Sequence, residues 1–159
     1  MTVSRIVSGG QTGADRGGLD AAIELGIAHG GWCPAGRKAE DGAIPSTYQL
    51  RETTSRDYAV RTRRNVRESD GTVVFTRGAP GGGSALTLAH ARKLGRPVLH
   101  VDLAAVDHEQ AAARVRAWCA DESIAVLNVA GSRESQAPGI AGAVREIVAR
   151  ALGVTDSRR

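Results

Sequence analysis

The stretch "SGGQTGADRGG", Ser8–Gly18, decides the fold of this chain because it directly follows the apolar pair Ile6-Val7 of a predicted first strand. Five of its eleven residues are glycines, which is more than a simple turn requires. A strand that passes through a glycine-rich turn into a helix is typical of a βα unit whose turn binds an anion. Asp15 and Arg16 stand at the predicted start of that helix, either as an ion pair or as ligand contacts.

Two later strands end in the same way, in "RGAPGGGSALT" (Arg77–Thr87) and in "AGSRESQAPG" (Ala130–Gly139). Helical segments separate five predicted apolar strands, at residues 3–8, 31–33, 71–76, 97–101 and 124–129. This alternation predicts an α/β protein, a Rossmann-like three-layer sandwich with a mostly parallel five-stranded sheet. The three turns then meet at the carboxyl edge of the sheet, where such folds bind ligands. Each turn taken alone is equally consistent with a plain connection.

Length and composition narrow the class of protein. A chain of 159 residues with 42% hydrophobic residues predicts a single globular domain, residues 1–154, followed by a frayed tail at 155–159. The two cysteines, Cys33 and Cys119, lie far apart and predict neither a zinc site nor a disulfide framework. We see no signal peptide and no apolar run of membrane-spanning length, so we predict a cytoplasmic location and no membrane partner.

The charge balance favours an anionic partner. The net charge is +4 at pH 7, and much of it comes from one segment, which holds Arg56, Arg61, Arg63, Arg64 and Arg67. That segment is either a solvated basic face or a binding surface. We do not expect nucleic acid, because the chain lacks a basic tail and the interleaved aromatic residues that stack on single strands.

The glycine-rich turns match no common nucleotide motif. None has the G-x-x-x-x-G-K-[ST] pattern of an ATPase, and none has G-x-G-x-x-G with an acidic residue about twenty positions later. Ser84 follows three glycines at a helix start, where its hydroxyl either caps the helix or binds an oxyanion. Arg133 is either a surface side chain or a bidentate clamp on the same anion.

Further candidates lie between the first and second turns. Glu40 and Asp41 belong to a long segment without clear periodicity, where they act as acid and base, hold a cation, or form a solvated turn. On the following helix, Tyr58, Arg61 and Asn65 share one side. We expect Arg61 and Asn65 to point into the pocket.

The three turns resemble motifs of the SLOG superfamily. "VSGGQTGADRGGLDAA" is similar to the second-strand motif of the DNA-processing proteins of bacterial transformation, "NVAGSRES" to their first-strand motif, and "GAPGGGSALT" to a later phosphate-binding turn. Because the first-strand motif comes last here, the chain resembles the circularly permuted YpsA-type family, labelled "putative molybdenum carrier". The resemblance implies strand order 2-1-5-3-4, with residues 124–129 in the centre. It also implies a nucleotide or a molybdenum cofactor as ligand and association into a homo-oligomer.

The chain departs from the phosphoribohydrolases of that superfamily at one turn. Those relatives carry Pro-Gly-Gly-x-Gly-Thr and a glutamate on the next helix. Here Pro80–Gly83 is followed by Ser84, and no glutamate occurs between Ser84 and His90. We therefore predict a protein that binds a nucleotide-like or oxyanion-bearing small molecule. The alternative is an enzyme acting on a nucleotide derivative, with Asp15, Glu40 and Glu134 as candidates for its acid and base.

The sequence identifies no metal ligands and no cofactor. The predicted ligand-binding residues belong to the three turns, the long segment and the basic helix. They are Gly9, Gly10, Gln11, Thr12, Gly13, Asp15, Arg16, Arg37, Asp41, Arg61, Asn65, Gly81, Gly82, Gly83, Ser84, Thr87, Gly131, Ser132, Arg133, Glu134 and Ser135.

Overall fold

A computed structural model describes residues 2–153, so the predicted frayed tail at 155–159 lies outside the described residues. Within them, the strands are β1 (Arg5–Val7), β2 (Ala28–Gly30), β3 (Trp32–Cys33), β4 (Lys38–Ala39), β5 (Gly42–Ala43), β6 (Arg51–Glu52), β7 (Gly71–Thr76), β8 (Val98–Asp102) and β9 (Val126–Gly131). The α-helices are α1 (Ala14–Leu25), α2 (Tyr58–Arg67), α3 (Gly82–Lys93), α4 (His108–Asp121) and α5 (Ile140–Leu152).

Five of the strands form one sheet in the order β2-β1-β9-β7-β8, and every neighbouring pair in it is parallel. The last strand in sequence therefore lies in the centre, between β1 and β7. This arrangement confirms the predicted order 2-1-5-3-4, and it brings the carboxyl ends of β1, β9 and β7 side by side.

The second strand of the sheet begins earlier than predicted. It is Ala28–Gly30 rather than 31–33, and Gly31 separates it from β3, which pairs with β6 instead. Gly31 has φ of 123°, and a Cβ there would approach the carbonyl oxygen of Ser8 to 2.3 Å. The chain leaves the sheet at this glycine, where its positive φ and its close approach to Ser8 exclude a larger residue.

Alternate strand residues make two different sheet faces. One face carries Ile6, Val73, Phe75, Leu127 and Val129, which share a fully buried core with apolar residues of α1, α4 and α5. This core supplies most of the apolar surface that folding buries.

The opposite face is more polar and packs against α2 and α3. It includes Thr72, Thr76 and Asn128, all at most 3% exposed. Asn128 Nδ2 donates to Thr72 Oγ1 at 3.1 Å, so the two strands share a buried hydrogen bond between side chains.

The long segment without clear periodicity, predicted as an ordered loop, contains short regular pieces. The hairpin β4–β5 and the strand β6 lie within residues 35–54, together with a single 3-10 turn at Ala35–Arg37. A small core of Cys33, Ala39 and Ile44 holds this segment in place. The segment therefore folds over the first turn rather than extending into solvent.

The starts of α4 and α1 agree only in part with the capping patterns of the sequence. Asp107 with Gln110 three residues later predicts a capping box, and this box is present at the start of α4. Thr12 with Asp15 three residues later predicts a similar start for α1. Thr12 does not cap that helix: the cap is Gly13, with φ of 84° and no side-chain hydrogen bond. The hydroxyl of Thr12 is instead committed to Glu40 and to the amide of Glu134.

Within the part of the chain that the structure describes, no helix is long and apolar enough to cross a membrane.

Candidate functional site

The carboxyl ends of β1, β7 and β9 surround a cavity of about 230 Å³, called the central cavity below. Residues from all three glycine-rich turns and from α2 line it. They are Gly9, Gln11, Asp15, Tyr58, Arg61, Thr62, Asn65, Gly82, Gly83, Ser84, Leu86, Thr87, Asn128, Ala130, Gly131, Arg133 and Gln136. The structure thus brings together residues that lie more than a hundred positions apart in the sequence.

Two glycines allow the first and third turns to touch. Gly13 has φ of 84°, and a Cβ there would approach the carbonyl oxygen of Ser132 to 2.3 Å. Gly131 has φ of 150°, and a Cβ there would stand 2.0 Å from the carbonyl oxygen of Phe75. A larger residue at Gly13 would force the first and third turns apart, and one at Gly131 would collide with the backbone of β7.

The second turn begins helix α3 without a side-chain cap. The N-cap is Gly81, and no side chain caps the amides at the start of the helix. The amide of Ser84 donates to the carbonyl oxygen of Gly81 at 3.1 Å, and Thr87 Oγ1 donates to the carbonyl oxygen of Gly83 at 2.9 Å. The first amides of a helix have no partner within the helix, so those of Gly82 and Gly83 are available to an anion.

The glycines of this second turn have open space above them. A Cβ built on Gly81, Gly82 or Gly83 would meet no atom within 4 Å. Packing therefore does not explain why these three positions are glycines. Only position 82, with φ of 48°, has a backbone conformation that favours glycine.

Gln11 presents an oriented donor to the cavity. Its Oε1 accepts hydrogen bonds from the amides of Thr12, at 3.1 Å, and Glu40, at 2.8 Å. These two bonds decide which way the side-chain amide points. Its Nε2 is buried and has no hydrogen-bond partner within residues 2–153. Arg61 Nε, on α2, is also buried and has no hydrogen-bond partner within those residues.

Asp15 is the carboxylate that lines the central cavity. It is 5% exposed, and its Oδ2 accepts a hydrogen bond from the amide of Gln11 at 3.1 Å. Burial raises the pKa of Asp15 from 3.8 to about 6, although Arg61, Arg16 and Arg133 act in the opposite direction. The carboxyl group is therefore placed to exchange a proton near neutral pH.

Three cations surround the ring of Tyr58. Lys38 Nζ lies 4.3 Å from the ring centroid, and the Cζ atoms of Arg61 and Arg133 lie at 5.2 and 5.1 Å. The four side chains, called the Tyr58 cluster below, come from the long segment, α2 and the third turn, and all are half-buried. Three positive charges therefore surround one aromatic residue of the cavity lining.

Some predicted ligand contacts serve the fold of the long segment instead. Arg16 forms a bidentate pair with Asp41, at 2.7 and 2.9 Å, and its Nε donates to the carbonyl oxygen of Gly10. Arg37 donates to the carbonyl oxygens of Ile44, Pro45 and Tyr48. None of these four predicted residues, Gly10, Arg16, Arg37 and Asp41, lines the central cavity.

Two of the three acid–base candidates are bound to neighbouring groups. Glu40 accepts hydrogen bonds from the hydroxyls of Thr12 and Ser135 and from the amide of Ser135. These bonds lower the pKa of Glu40. Glu134 accepts the amides of Gly139 and Ala141, at the start of α5. Neither carboxylate lines the central cavity, and the same holds for the remaining predicted residues, Thr12, Gly13, Gly81, Ser132 and Ser135.

Asn65 lies in the wall of the cavity with its amide already engaged. Its Oδ1 accepts the amide of Trp32 at 2.8 Å, and its Nδ2 donates to the carbonyl oxygen of Trp32 at 2.9 Å. These two bonds tie α2 to β3. Asn65 therefore positions the helix that carries Arg61.

Sequence reasoning did not select six residues of the lining, which are Tyr58, Thr62, Leu86, Asn128, Ala130 and Gln136. One of them had a visible signal: Asn128 is a polar residue inside the apolar run 124–129. Tyr58 had another, because it shares one side of its helix with Arg61 and Asn65. The other four are ordinary residues of helices, strands and turns, so only their place around the cavity distinguishes them.

The donors in this cavity suit an oxyanion better than a bare metal ion. Across residues 2–153, no group of three or more His, Cys, Asp or Glu side chains is arranged to hold a metal. The lining offers N–H groups and positive charge, which are the partners of phosphate-like or molybdate-like oxygens.

Comparisons with known proteins agree with the turn motifs. The model of the circularly permutated YpsA SLOG family matches residues 6–152. The crystal structure of a protein from Syntrophus aciditrophicus SB, named "Putative molybdenum carrier protein", is similar with a TM-score of 0.93 and 45% sequence identity over 96% of each chain. A search of curated proteins found no match.

Proposed function

Since the chain belongs to the circularly permuted YpsA SLOG family, as its turn motifs indicated, we propose that it binds an anionic small molecule, nucleotide-like or another oxyanion, in the central cavity. The amides of Gly82 and Gly83 receive one anionic group at the start of α3. The side chains of Gln11 and Arg61 donate to the same ligand from the opposite turn and from α2.

One observation carries this proposal. Two residues of the cavity lining, Gln11 and Arg61, each carry a buried side-chain donor, Nε2 and Nε, that has no hydrogen-bond partner among residues 2–153. Leaving a buried donor unpaired costs about 1–3 kcal/mol, so such groups normally have a partner. A ligand oxygen in the cavity supplies that partner, next to a helix start that itself favours an anion.

Molybdenum fits this site as cargo in an anionic form. A carrier function comes from the name of the Syntrophus relative, and the donors of the cavity narrow what such a carrier holds. They suit molybdate or the phosphate of a molybdenum cofactor, since both present oxygens to N–H groups. They do not suit a metal bound directly by protein side chains.

A second candidate function is hydrolysis of a nucleotide derivative, and Asp15 is the residue that favours it. Its carboxyl group lines the cavity with a pKa raised to about 6, which is suitable for an acid or base near neutral pH. The glutamate that phosphoribohydrolases carry on the helix after the glycine turn is missing here. Asp15 would have to act in its place, from the first turn.

Replacing Gly82 tests the binding function. Gly82→Val puts a branched side chain over the free amides at a φ that valine disfavours, so we expect binding of phosphate, molybdate and AMP to be lost. The matched control is Gly142→Ala, a helical glycine of α5 whose Cβ would meet no atom within 4 Å. Isothermal titration of each anion into both variants measures the effect, and unchanged affinity in Gly82→Val would remove the second turn from the site.

Asp15→Asn separates carrier from hydrolase. In a carrier, this variant keeps ligand affinity or increases it, because it removes a negative charge from an anion site. In a hydrolase, it binds the nucleotide but no longer releases the free base. Chromatography of products after incubation with nucleoside monophosphates distinguishes the two, and a wild-type protein that forms no product with any of them leaves only the carrier.

Three further expectations from the sequence extend this proposal. We interpret the sheet order as Rossmann-like, we expect a cytoplasmic location, and we expect association into a homo-oligomer. Two apolar side chains, Ile23 and Leu94, are 44% and 46% exposed and offer surface for such contacts. Light scattering at micromolar concentration tests the assembly, and a monomer there would contradict it.

A further inference from the structure

We propose that the ligand of the central cavity carries two linked anionic groups, as a diphosphate does, and that the Tyr58 cluster binds the second one. The inference rests on the proposed function, because the first anionic group binds at the start of α3. It deepens that function by naming the class of ligand.

The cluster extends the positive charge of the site beyond the cavity. Arg61 and Arg133 line the cavity together with Gly82 and Gly83, so one molecule can reach both ends. Lys38 is not part of the lining, yet its Nζ contacts the same ring of Tyr58. A single compact oxyanion at the helix start does not use this third charge, whereas a second linked group does.

No carboxylate forms an ion pair with the cluster. Within residues 2–153, the ion pairs with oxygen and nitrogen within 4.0 Å include none of its three cations. Two acids interact with it at longer range: Arg61 and Arg133 oppose the burial that raises the pKa of Asp15, and Arg133 adds to the hydrogen bonds that lower the pKa of Glu40. The closer bonds of both acids go elsewhere, since Asp15 Oδ2 accepts the amide of Gln11 and Glu40 accepts from Thr12 and Ser135. Like charges that share one ring repel each other, and a bound anion removes that repulsion.

Tyr58 acts as a positioning residue for the three cations. Its ring holds them by cation–π contacts from three separate parts of the chain. Lys38 is held further by its hydrogen bond to the carbonyl oxygen of Arg56, at 2.9 Å. The ring thereby places guanidinium and ammonium groups before any ligand arrives, which lowers the cost of ordering them.

The test compares inorganic phosphate with inorganic pyrophosphate by NMR titration, which measures millimolar as well as micromolar affinities. In the wild type we expect pyrophosphate to bind about tenfold more tightly than phosphate, the gain from one added charge-assisted contact. Lys38→Gln should lose most of that advantage and keep its phosphate affinity. Arg63→Gln, which removes an exposed charge from the same helix, is the control and should change neither affinity more than about twofold.

A second pair of variants tests the ring. Tyr58→Phe keeps the aromatic face and should keep the preference for pyrophosphate, whereas Tyr58→Leu should lose it. Equal affinity for the two anions in the wild type would overturn the second subsite and leave the proposed function intact. The same holds if Lys38→Gln weakens both anions equally. If neither anion binds the wild type, the proposed function and this inference fall together.

Discussion

The two faces of the central sheet come from alternate residues of the same strands, yet they differ in chemistry. Val73 and Phe75 point into an apolar core with α1, α4 and α5, whereas Thr72 and Thr76 point to the face of α2 and α3. Asn128 faces the same way, and it lines the central cavity. The difference indicates that one face maintains the fold while the other, at its carboxyl edge, is available for binding.

The contribution of each face to stability follows from this difference in chemistry. Apolar residues in a close-packed core contribute through burial, and their loss lowers stability. Buried polar groups and glycines with positive φ contribute little to stability and often reduce it. Substitutions on the two faces should therefore separate stability from binding, and three of them test that expectation.

The largest effect should come from the core face. Ile147→Ala removes a fully buried side chain of α5 and should lower the free energy of unfolding by about 2–5 kcal/mol. Ile147→Val, the conservative control, should cost only about 0.5–1.5 kcal/mol. Urea denaturation measures both. Anion affinity of the folded protein should stay unchanged, and a loss of affinity in Ile147→Val would mean that the two faces are coupled.

Asp15→Asn should increase stability at pH 8. Because burial raises the pKa of Asp15 to about 6, its favourable contribution is complete below the unfolded value of 3.8 and is lost as pH rises through 6. The variant should therefore exceed the wild type by up to about 3 kcal/mol at pH 8 and by almost nothing below pH 4.

Asp41→Asn is the control, and its effect on stability should depend on pH in the opposite direction. The partner Arg16 lowers the pKa of Asp41, so its contribution is present at neutral pH and is lost in acid. The side chain of Asp41 is 49% exposed, and removal of its charge should cost less than about 1 kcal/mol. Thermal unfolding between pH 3 and 8 measures both variants, and a parallel pH trend in the two would contradict the buried-charge explanation.

The smallest effect on the fold should come from Arg133. Arg133→Gln removes a charge from the cavity lining and should weaken anion binding by about 1.5–3 kcal/mol, the range for a charge-assisted hydrogen bond. Unfolding free energy should change by less than about 0.5 kcal/mol, because half-exposed loop side chains add little to the core. Calorimetric titration beside urea denaturation measures both quantities. A larger change in stability than in binding would assign Arg133 to the fold.

Much of the architecture was predictable from the chain itself. Strands such as 71–76 are apolar runs bounded by glycine, and Asp107 with Gln110 is a local signal for a helix start, so both follow from short-range pattern. The order of strands was predictable only through the permuted motifs, since sequence periodicity says nothing about which strand lies beside which. The second strand was misplaced because Gly31 ends it by a close contact with Ser8, a long-range effect.

The candidate site was predictable to a similar extent. The sequence alone determined which turns carry glycines and charges, because a backbone that bends sharply at a helix start needs glycine and an anion needs N–H groups or cations nearby. The tertiary structure decided what each side chain does there. Glu134 and Arg37 are bound to backbone groups, Glu40 is bound to Thr12 and Ser135, Gln11 Nε2 is buried without a partner, and Tyr58 is in contact with three cations. These outcomes depend on contacts between segments far apart in the chain, which no local pattern encodes.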